Sequence, residues 1–394
     1  MYTSPRTVYA DNAATTAVEQ AVLDKMLPYF SQHYGNASQL YALGQKSAAA
    51  IKEARQHVGA VINAAQHEIF FTSGGTESDN IALRGYMHEA RSRRGKTGLI
   101  TTPLEHHAIL HTAEALKDDG YELKYVPVDG YGVVDLAALD RLIDENTALV
   151  SIMAANNEIG TIAPLYEIGK LCADRGVMLH TDAVQAYGHI PIDVKEMNIG
   201  MLSLSAHKLN GPKGAGAIYM RSGLTFPPLT TGGGQERNRR SGTENVPGIV
   251  GLGEAARLRK AQMEEETTRV GALTRRLIDG VLANIPEVRL TGHPTNRLPG
   301  TASFAIRAVE GESMILMLDN AGICASTGSA CSTGSLDPSH VLLGIGLSHE
   351  LAHGSLRLSL GIETTEEDVD YILEKLPPIV EKLRAMSPVW SRKG

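Results

Sequence analysis

The stretch 203–219 closes a short apolar run with Ser205, His207 and a single lysine, Lys208, and then turns through Gly211, Pro212, Gly214 and Gly216 into a second apolar run. Runs of this length bounded by Gly and Pro read as strands, which puts Lys208 at a strand end. A lysine is ordinarily a solvated surface charge. An amine held at the mouth of a sheet loses that solvation instead; its pKa falls and the neutral nitrogen becomes a nucleophile towards carbonyls.

Four other strand ends carry polar groups. Thr72-Ser73-Gly74-Gly75-Thr76-Glu77-Ser78 is a Gly-rich turn that opens a helix, where converging N–H groups favour a phosphate and Thr76 adds a hydroxyl. A plain turn with a cap would read the same way. No Gly-Lys-Ser/Thr follows it, and the chain holds no G-x-G-x-x-G fingerprint, so any phosphate belongs to something other than a P-loop or dinucleotide ligand. Glu105-His106 supplies a histidine suited to stacking or proton transfer, although a hydrogen-bonded loop histidine is the commoner outcome. Asn156-Asn157-Glu158 reads as a turn or as a polar contact. Asp182, in His180-Thr181-Asp182-Ala183-Val184-Gln185, would be costly at that depth without a cationic partner. A lysine nucleophile, a carboxylate for a ring N–H and an anion-binding turn together meet the needs of pyridoxal 5'-phosphate, held as a lysine Schiff base with its pyridine nitrogen kept protonated.

The elements that position these groups alternate. Strands are predicted at 68–72, 99–102, 123–128, 149–153, 177–180, 201–205 and 215–220, with helices at 77–93, 107–117, 136–143 and 166–175 between them. Such alternation implies a mostly parallel sheet covered on both faces, with ligands at the strand C-termini. Ahead of it, Thr16-x-x-Glu19 has the spacing of a capping box for a helix to about 30, and a second helix shows Ile51, Ala54, Val58, Val61 and Ile62 on one face. A charged helix at 253–285 leads out of this unit. A smaller α+β region follows, ended by a helix that Thr364-x-x-Glu367 is expected to cap and whose Val369, Ile372, Leu376, Ile379 and Leu383 share a face.

Composition narrows the class. Of 394 residues, 43% are hydrophobic and 21% charged, as in ordinary globular chains, and a net charge of −7 argues against a nucleic-acid partner. Three cysteines do not make a disulfide framework and point to a reducing compartment. With no apolar run of membrane length and no signal-like start, the expectation is a cytoplasmic protein with no membrane association.

Taken together, Asp11-Asn12-Ala13-Ala14-Thr15-Thr16, Thr72 to Asn80, Glu105-His106, Asn156-Asn157-Glu158, Asp182 with Gln185, Ser205-Ala206-His207-Lys208, Arg240-Ser241-Gly242-Thr243 and Ser329-Ala330-Cys331 resemble the class V aminotransferase-like family of fold type I. Within it they resemble the cysteine desulfurases of the NifS and IscS type. The resemblance runs over nearly the whole chain. It implies an α/β fold, with a large cofactor domain at 15–258 and a small α+β domain formed by 1–14 and 259–394. The small domain would carry a mobile loop, about 325–336, with Cys331 in a run of small residues.

The implied activity converts L-cysteine to L-alanine, passing sulfur to Cys331 as a persulfide and then to an acceptor protein such as an iron–sulfur scaffold. By the same resemblance Lys208 forms the internal Schiff base and moves the Cα proton, Asp182 pairs with the ring nitrogen, His106 stacks on the ring and Gln185 bonds its hydroxyl. Gly75, Thr76, Ser205 and His207 hold the phosphate, Thr243 does so from the neighbouring subunit of a homodimer, and Arg357 with Asn157 grips the substrate carboxylate. No metal is implied. A selenocysteine lyase would share every motif, a plain aminotransferase would not need Cys331, and a scaffold would keep the fold without the chemistry. Two positions depart from the family pattern. Gly35-Asn36-Ala37-Ser38-Gln39 lacks the usual Pro and the following His, and Cys324 replaces a small non-thiol residue.

Overall fold

The computed structural model describes residues 6–327 and 338–390. In chain order the strands are β1 (Val8–Tyr9), β2 (Ile69–Thr72), β3 (Gly98–Thr101), β4 (Glu122–Tyr125), β5 (Thr147–Ser151), β6 (Met178–Asp182), β7 (Met201–Ser205), β8 (Gly216–Met220), β9 (Val288–Leu290), β10 (Thr301–Ile306), β11 (Ile323–Cys324) and β12 (Ser355–Ser359). Seven of them form the main sheet in the order β2-β8-β7-β6-β5-β3-β4. All its pairings are parallel except the two made by β8. The C-termini of β2, β3, β5, β6 and β7 therefore open on one edge, the expected ligand side of such a sheet.

β5, β6, β7 and β8 are buried along their whole length but for Met178, because helices cover both faces. One face holds Ile100, Val150, Leu179, Leu202 and Leu204 against the helix Ala42–Val61 and the start of the helix Val246–Asn284. The other holds Leu149, Met201 and Ile218 against Ile81, Leu83 and Tyr86. A second core gathers Val270, Leu277 and Val281 from the far half of the long helix with β10, β12 and the helix Glu366–Met386. Val8 and Ala10 join this second core, so the segment after β1 crosses from it to the main sheet, and the far half of the long helix returns to it. A three-stranded antiparallel sheet, β12-β10-β9, backs it.

Several local expectations are corrected. Thr16 does not cap a helix: the first helix is Gln20–Met26 with Glu19 before it, and a separate turn, Pro28–Ser31, follows. Buried Thr16 instead donates to the His207 carbonyl and accepts from the Asn210 N–H, both at 2.9 Å, while Glu19 pairs with Arg259 at 2.9 Å. Tertiary partners have taken both side chains that the local motif needed. The long helix begins at Val246 rather than 253, capped by the Asn245 side chain. Its glycines hid the first turns. A Cβ on Gly253 would lie 2.5 Å from Ala54 Cα, so glycine is what lets two helices meet there. β6 runs on to Asp182, and β4 stops at Tyr125. The final helix is capped one residue later than expected, by Thr365 and Asp368 bonding reciprocally, while the predicted face of Val369, Ile372, Leu376, Ile379 and Leu383 is the buried one.

One of the ion pairs that hold the segment leading to Thr243 ties it to the helix Ala42–Val61 and, through the same carboxylate, to β2. Arg55 meets Glu236 through two bonds of 2.6 and 2.8 Å, and Glu236 also accepts from the Phe71 N–H at 3.0 Å. Both side chains are largely out of solvent, at 13% and 3% exposure. Glu236→Leu leaves the guanidinium unpaired in the interior, so it is expected to destabilise the protein by about 3–5 kcal/mol, read as a lowered urea midpoint; Arg55→Lys, which loses the fork geometry, should cost less.

Candidate functional site

Lys208 stands in a 3-10 turn, Ala206–Lys208, directly after β7. The turn is short because β8 returns antiparallel to β7: the Ala206 N–H donates to the Ala215 carbonyl at 3.0 Å and the Gly211 N–H to the Ala206 carbonyl at 2.9 Å. The ammonium points at the segment after β1, donating to the carbonyls of Ala13 at 2.5 Å and Ala14 at 2.7 Å. Gln185 Nε2 donates to the same Ala13 oxygen at 2.9 Å. Lys208 and Gln185 are thus brought together on one backbone atom.

Asp182 ends β6 and is 6% exposed. Its carboxyl accepts from the Val184 N–H at 2.9 Å. Burial pushes its pKa up to about 6, opposed by that hydrogen bond and by the Lys208 charge. His106 is the N-cap of the helix His107–Asp118, its Nδ1 accepting from the Ala108 N–H at 3.1 Å. Burial first, then Lys208 and the neighbouring His107, His340 and His111, hold it down to about 4, so its ring is neutral at physiological pH. Lys208 therefore acts electrically on both Asp182 and His106.

The Gly74–Gly75 turn lies on the same edge. A Cβ on Gly75 would come within 2.6 Å of Val184 Cγ2, so only glycine lets the start of the helix Gly75–Asn80 approach the turn that follows Asp182. Thr76 is exposed, Ser205 is buried, and His207 Nδ1 lies 3.1 Å from Thr15 Oγ1 with its pKa lowered to about 4 by burial and then by Lys208 and Lys213. A hydroxyl, neutral imidazole and free helix N–H groups suit a phosphate, a buried carboxyl suits a ring N–H, and a lysine suits an aldehyde. The donor set fits pyridoxal phosphate.

Arg357 on β12 closes the site from the second core. It is 4% exposed and donates to Asp11 Oδ1 at 2.8 Å and to the Asn157 carbonyl at 2.9 Å, while its buried Nε has no hydrogen-bond partner among the described residues. Asn157 meets Arg357 through its backbone. Thr243 is not among these residues in the single chain: it is exposed and lines a hollow with Thr72, Ser73, Gly214 and Arg240. Cys331 lies outside the described residues. The flanking residues are placed, however. Ser326 exchanges backbone bonds with Arg357 at 3.1 and 2.6 Å, and Ser339 donates to Glu158, whose pKa burial raises to about 7. Cys172 is buried with its thiol pushed up to about 12, and Cys324 is half-buried with its thiol raised by burial first and then by Asp319 and Asp11.

Sequence reasoning passed over Asp11 as the counter-ion of Arg357, Ser339 beside Glu158, and Asp79 and His180 beneath Asp182. His180 was visible in principle, since it lies two residues before Asp182 on one strand and shares its face.

The aminotransferase class-V family profile matches residues 8–372. The chain is 52% identical over 385 residues to a protein of Clostridium botulinum named cysteine desulfurase IscS, covering 97% of this chain and 96% of the relative. A cysteine desulfurase IscS of Methanosarcina thermophila is 52% identical over 98% of the chain and 95% of its own length, and the cysteine desulfurase NifS of Azotobacter vinelandii is 46% identical over 98% and 96%. Among solved structures, a NifS-like protein superposes with a TM-score of 0.89 at 38% identity, over 96% of this chain and all of that one. A structure described as SspA in complex with cysteine superposes with a TM-score of 0.81 at 34% identity, over 91% of this chain and all of that one.

Glu105 gives a direct pH signature of the site. It is fully buried, its Oε1 accepts from Thr102 at 2.8 Å and the Met153 N–H at 3.0 Å, and burial raises its pKa to about 8. The folded protein then keeps a proton that the unfolded chain releases near 4.5, so this carboxyl's contribution falls as pH rises between those values and is level above them. Glu105→Gln should remove that fall. The stability difference between variant and parent is expected to grow from pH 5 to 8 by on the order of 1 kcal/mol per pH unit in thermal melts.

Proposed function

Because the chain belongs to the class-V aminotransferase family, and within it stands beside cysteine desulfurases, we propose that it binds pyridoxal 5'-phosphate and removes the sulfur of L-cysteine to leave L-alanine. The observation that carries this reading is the meeting of Lys208, Asp182 and His106 at the strand ends, where the lysine charge reaches both other groups. The cofactor, when bound, supplies an aldehyde carbon for amines and an electron-withdrawing ring next to the substrate Cα.

The chain's own residues do the rest. Gly75 and Thr76 at the helix start, with Ser205 and His207, hold the phosphate by hydrogen bonds from backbone and side chain. Thr243 adds a bond from the neighbouring subunit of a homodimer; its exposure outside its own chain's site supports that assignment. Asp182, ionised when a ring N–H and Lys208 are both near, keeps the ring nitrogen protonated. His106, neutral by virtue of its burial, would pack against the ring, and Gln185 would bond its hydroxyl. Lys208 Nζ carries the proton to and from the substrate Cα, released from the Ala13 and Ala14 carbonyls. Arg357, oriented by Asp11, and Asn157 hold the substrate carboxylate, and an Nε without a partner among the described residues supports that role.

Cys331 is the sulfur acceptor in this reading. Its thiolate attacks the substrate sulfur, an S–S bond forms as the C–S bond breaks, and the carbon keeps the electron pair and takes a proton. The products are an enzyme persulfide and alanine. The anchorage of Ser326 at Arg357 and of Ser339 at Glu158 supports this role, because both ends of the segment that includes Cys331 start from the site. The persulfide passes to a cytoplasmic acceptor protein such as an iron–sulfur scaffold.

Incubation of the loaded protein with L-cysteine should add one sulfur to the peptide containing Cys331, read by mass spectrometry. Cys331→Ala should keep the visible absorption of the loaded protein and lose sulfide release; normal release would overturn the assignment. Lys208→Ala should lose the visible band that a lysine-bound cofactor gives. Arg357→Lys exchanges a two-pronged contact for a point charge, so KM for L-cysteine should rise roughly 10- to 100-fold.

A further inference from the structure

One amide side chain joins the loop after β3 to the turn that follows β5. Asn156 is 4% exposed. Its Oδ1 accepts from two backbone groups of that turn, the Glu158 N–H at 2.9 Å and the Ile159 N–H at 3.0 Å. Its Nδ2 donates across to the Leu104 carbonyl at 2.9 Å, in the loop that continues into Glu105 and His106. Backbone bonds fix the residue itself: its N–H donates to the Thr161 carbonyl at 2.9 Å, and its carbonyl accepts from the Gly160 N–H at 3.0 Å. Asn157 stands between this amide and the N–H groups it gathers, and the Asn157 carbonyl accepts from Arg357 Nη1 at 2.9 Å. Asp11 takes the other end of the guanidinium, Nη2, at 2.8 Å. The reaction described above uses Asn157 and Arg357 but not the Asn156 side chain.

We propose that Asn156 is a positioning residue for Arg357: its amide shapes the turn 157–159 so that the Asn157 carbonyl meets the guanidinium, and it ties that turn to the loop bearing His106. The proposal rests on the reading of Arg357 as the group that grips the substrate carboxylate. The residue type follows from the bonds, because an amide both accepts and donates. Aspartate would keep the two N–H contacts and set an oxygen against the Leu104 carbonyl. A buried N–H or carbonyl left without a partner is costly, so a turn deprived of the amide rearranges to satisfy those groups elsewhere, and the Asn157 carbonyl moves with it. Of the two side-chain bonds that Arg357 makes among the described residues, the one to Asp11 then remains. A two-pronged contact with a carboxylate depends on how the guanidinium plane is held. The loops themselves stay joined, since the Met153 N–H donates to Glu105 Oε1 at 3.0 Å. Removal of the amide therefore loosens the turn more than the site around it.

Two ligands separate the hold on Arg357 from the general state of the site. L-alanine carries a carboxylate, and ethylamine is the same amine without it. Each is titrated into the full chain loaded with pyridoxal phosphate, and its dissociation constant is read from the change in the visible band. The parent should prefer L-alanine. In Asn156→Ala that preference should fall roughly 10-fold, through weaker L-alanine binding with ethylamine binding unchanged. Asn156→Asp, which keeps the acceptor, should lose roughly threefold, and it carries the comparison should Asn156→Ala not fold. In an Arg357→Lys background the further loss from either change should be less than about twofold. Without cofactor, hydrogen exchange at the Glu158 and Ile159 amides should quicken in Asn156→Ala. An unchanged preference, an equal loss for both ligands or unchanged exchange would leave Asn156 a structural residue and overturn the proposal. A full loss in the Arg357→Lys background would overturn it equally, because Asn156 would then act by another route. If Arg357→Lys alone left the preference as in the parent, the carboxylate-grip reading would fail and take the proposal with it, so the two failures are told apart.

Discussion

The carbonyl oxygen of Ala13 accepts hydrogen bonds from Lys208 and from Gln185, and the neighbouring carbonyl of Ala14 accepts a second from Lys208. An ammonium brought to the end of a closely packed sheet needs such partners, because desolvation without them would cost several kcal/mol. The segment that provides them also carries Asp11, which holds Arg357 from the second core. Four consecutive residues thus join the group that would bear the cofactor to the group that would grip the substrate. The rest of the architecture serves this junction: β8 returns at once so that the lysine stays at the edge, and β1 lies in the second core so that the segment must cross between cores.

Electrostatics around the junction follow from burial. Four carboxyls, Asp79, Glu105, Glu158 and Asp182, are pushed upward, and His106, His180 and His207 are pushed downward, each chiefly by loss of solvent. The interior therefore tends to neutrality, with Lys208 and Arg357 as its principal charges. Such an arrangement leaves most of the field at the site to a few groups whose positions are fixed by backbone bonds.

Much of this was legible in the sequence. Period-two and period-3.6 patterns located the strands, and Lys208, Asp182 and the Gly74–Gly75 turn were assigned to the strand ends where they stand. What the pattern could not show is where a side chain finds a better partner far away. Thr16 and Glu19 spell a capping box, yet they bond to His207, Asn210 and Arg259. The pattern predicts the long helix from 253, yet it starts at Val246, and Gly251 and Gly253 lie where Met26, Pro212 and Ala54 pack against it. Asp79 stands in the sequence only as one residue of the run Thr72 to Asn80. Only the register of β5, β6 and β7 reveals the buried polar row, Ser151, His180, Asp182 and Ser203, beside which it lies.

The hairpin-like return of β8 also bears on the order of assembly. β7, the lysine turn and β8 are neighbours in sequence, so their pairing closes a short loop. The bond from Lys208 to Ala13 spans 195 residues and that from Arg357 to Asp11 spans 346. Contacts of long sequence separation form late, and chains emerge from the ribosome N-terminus first. The edge that presents Lys208 is then complete while the C-terminal strand bearing Arg357 is still to be made, and the crossing segment 11–14 is anchored first by β11, which pairs with β1, and only then by β12, which holds Asp11. A nascent chain would thus acquire its reactive amine well before the guanidinium that selects what the amine meets.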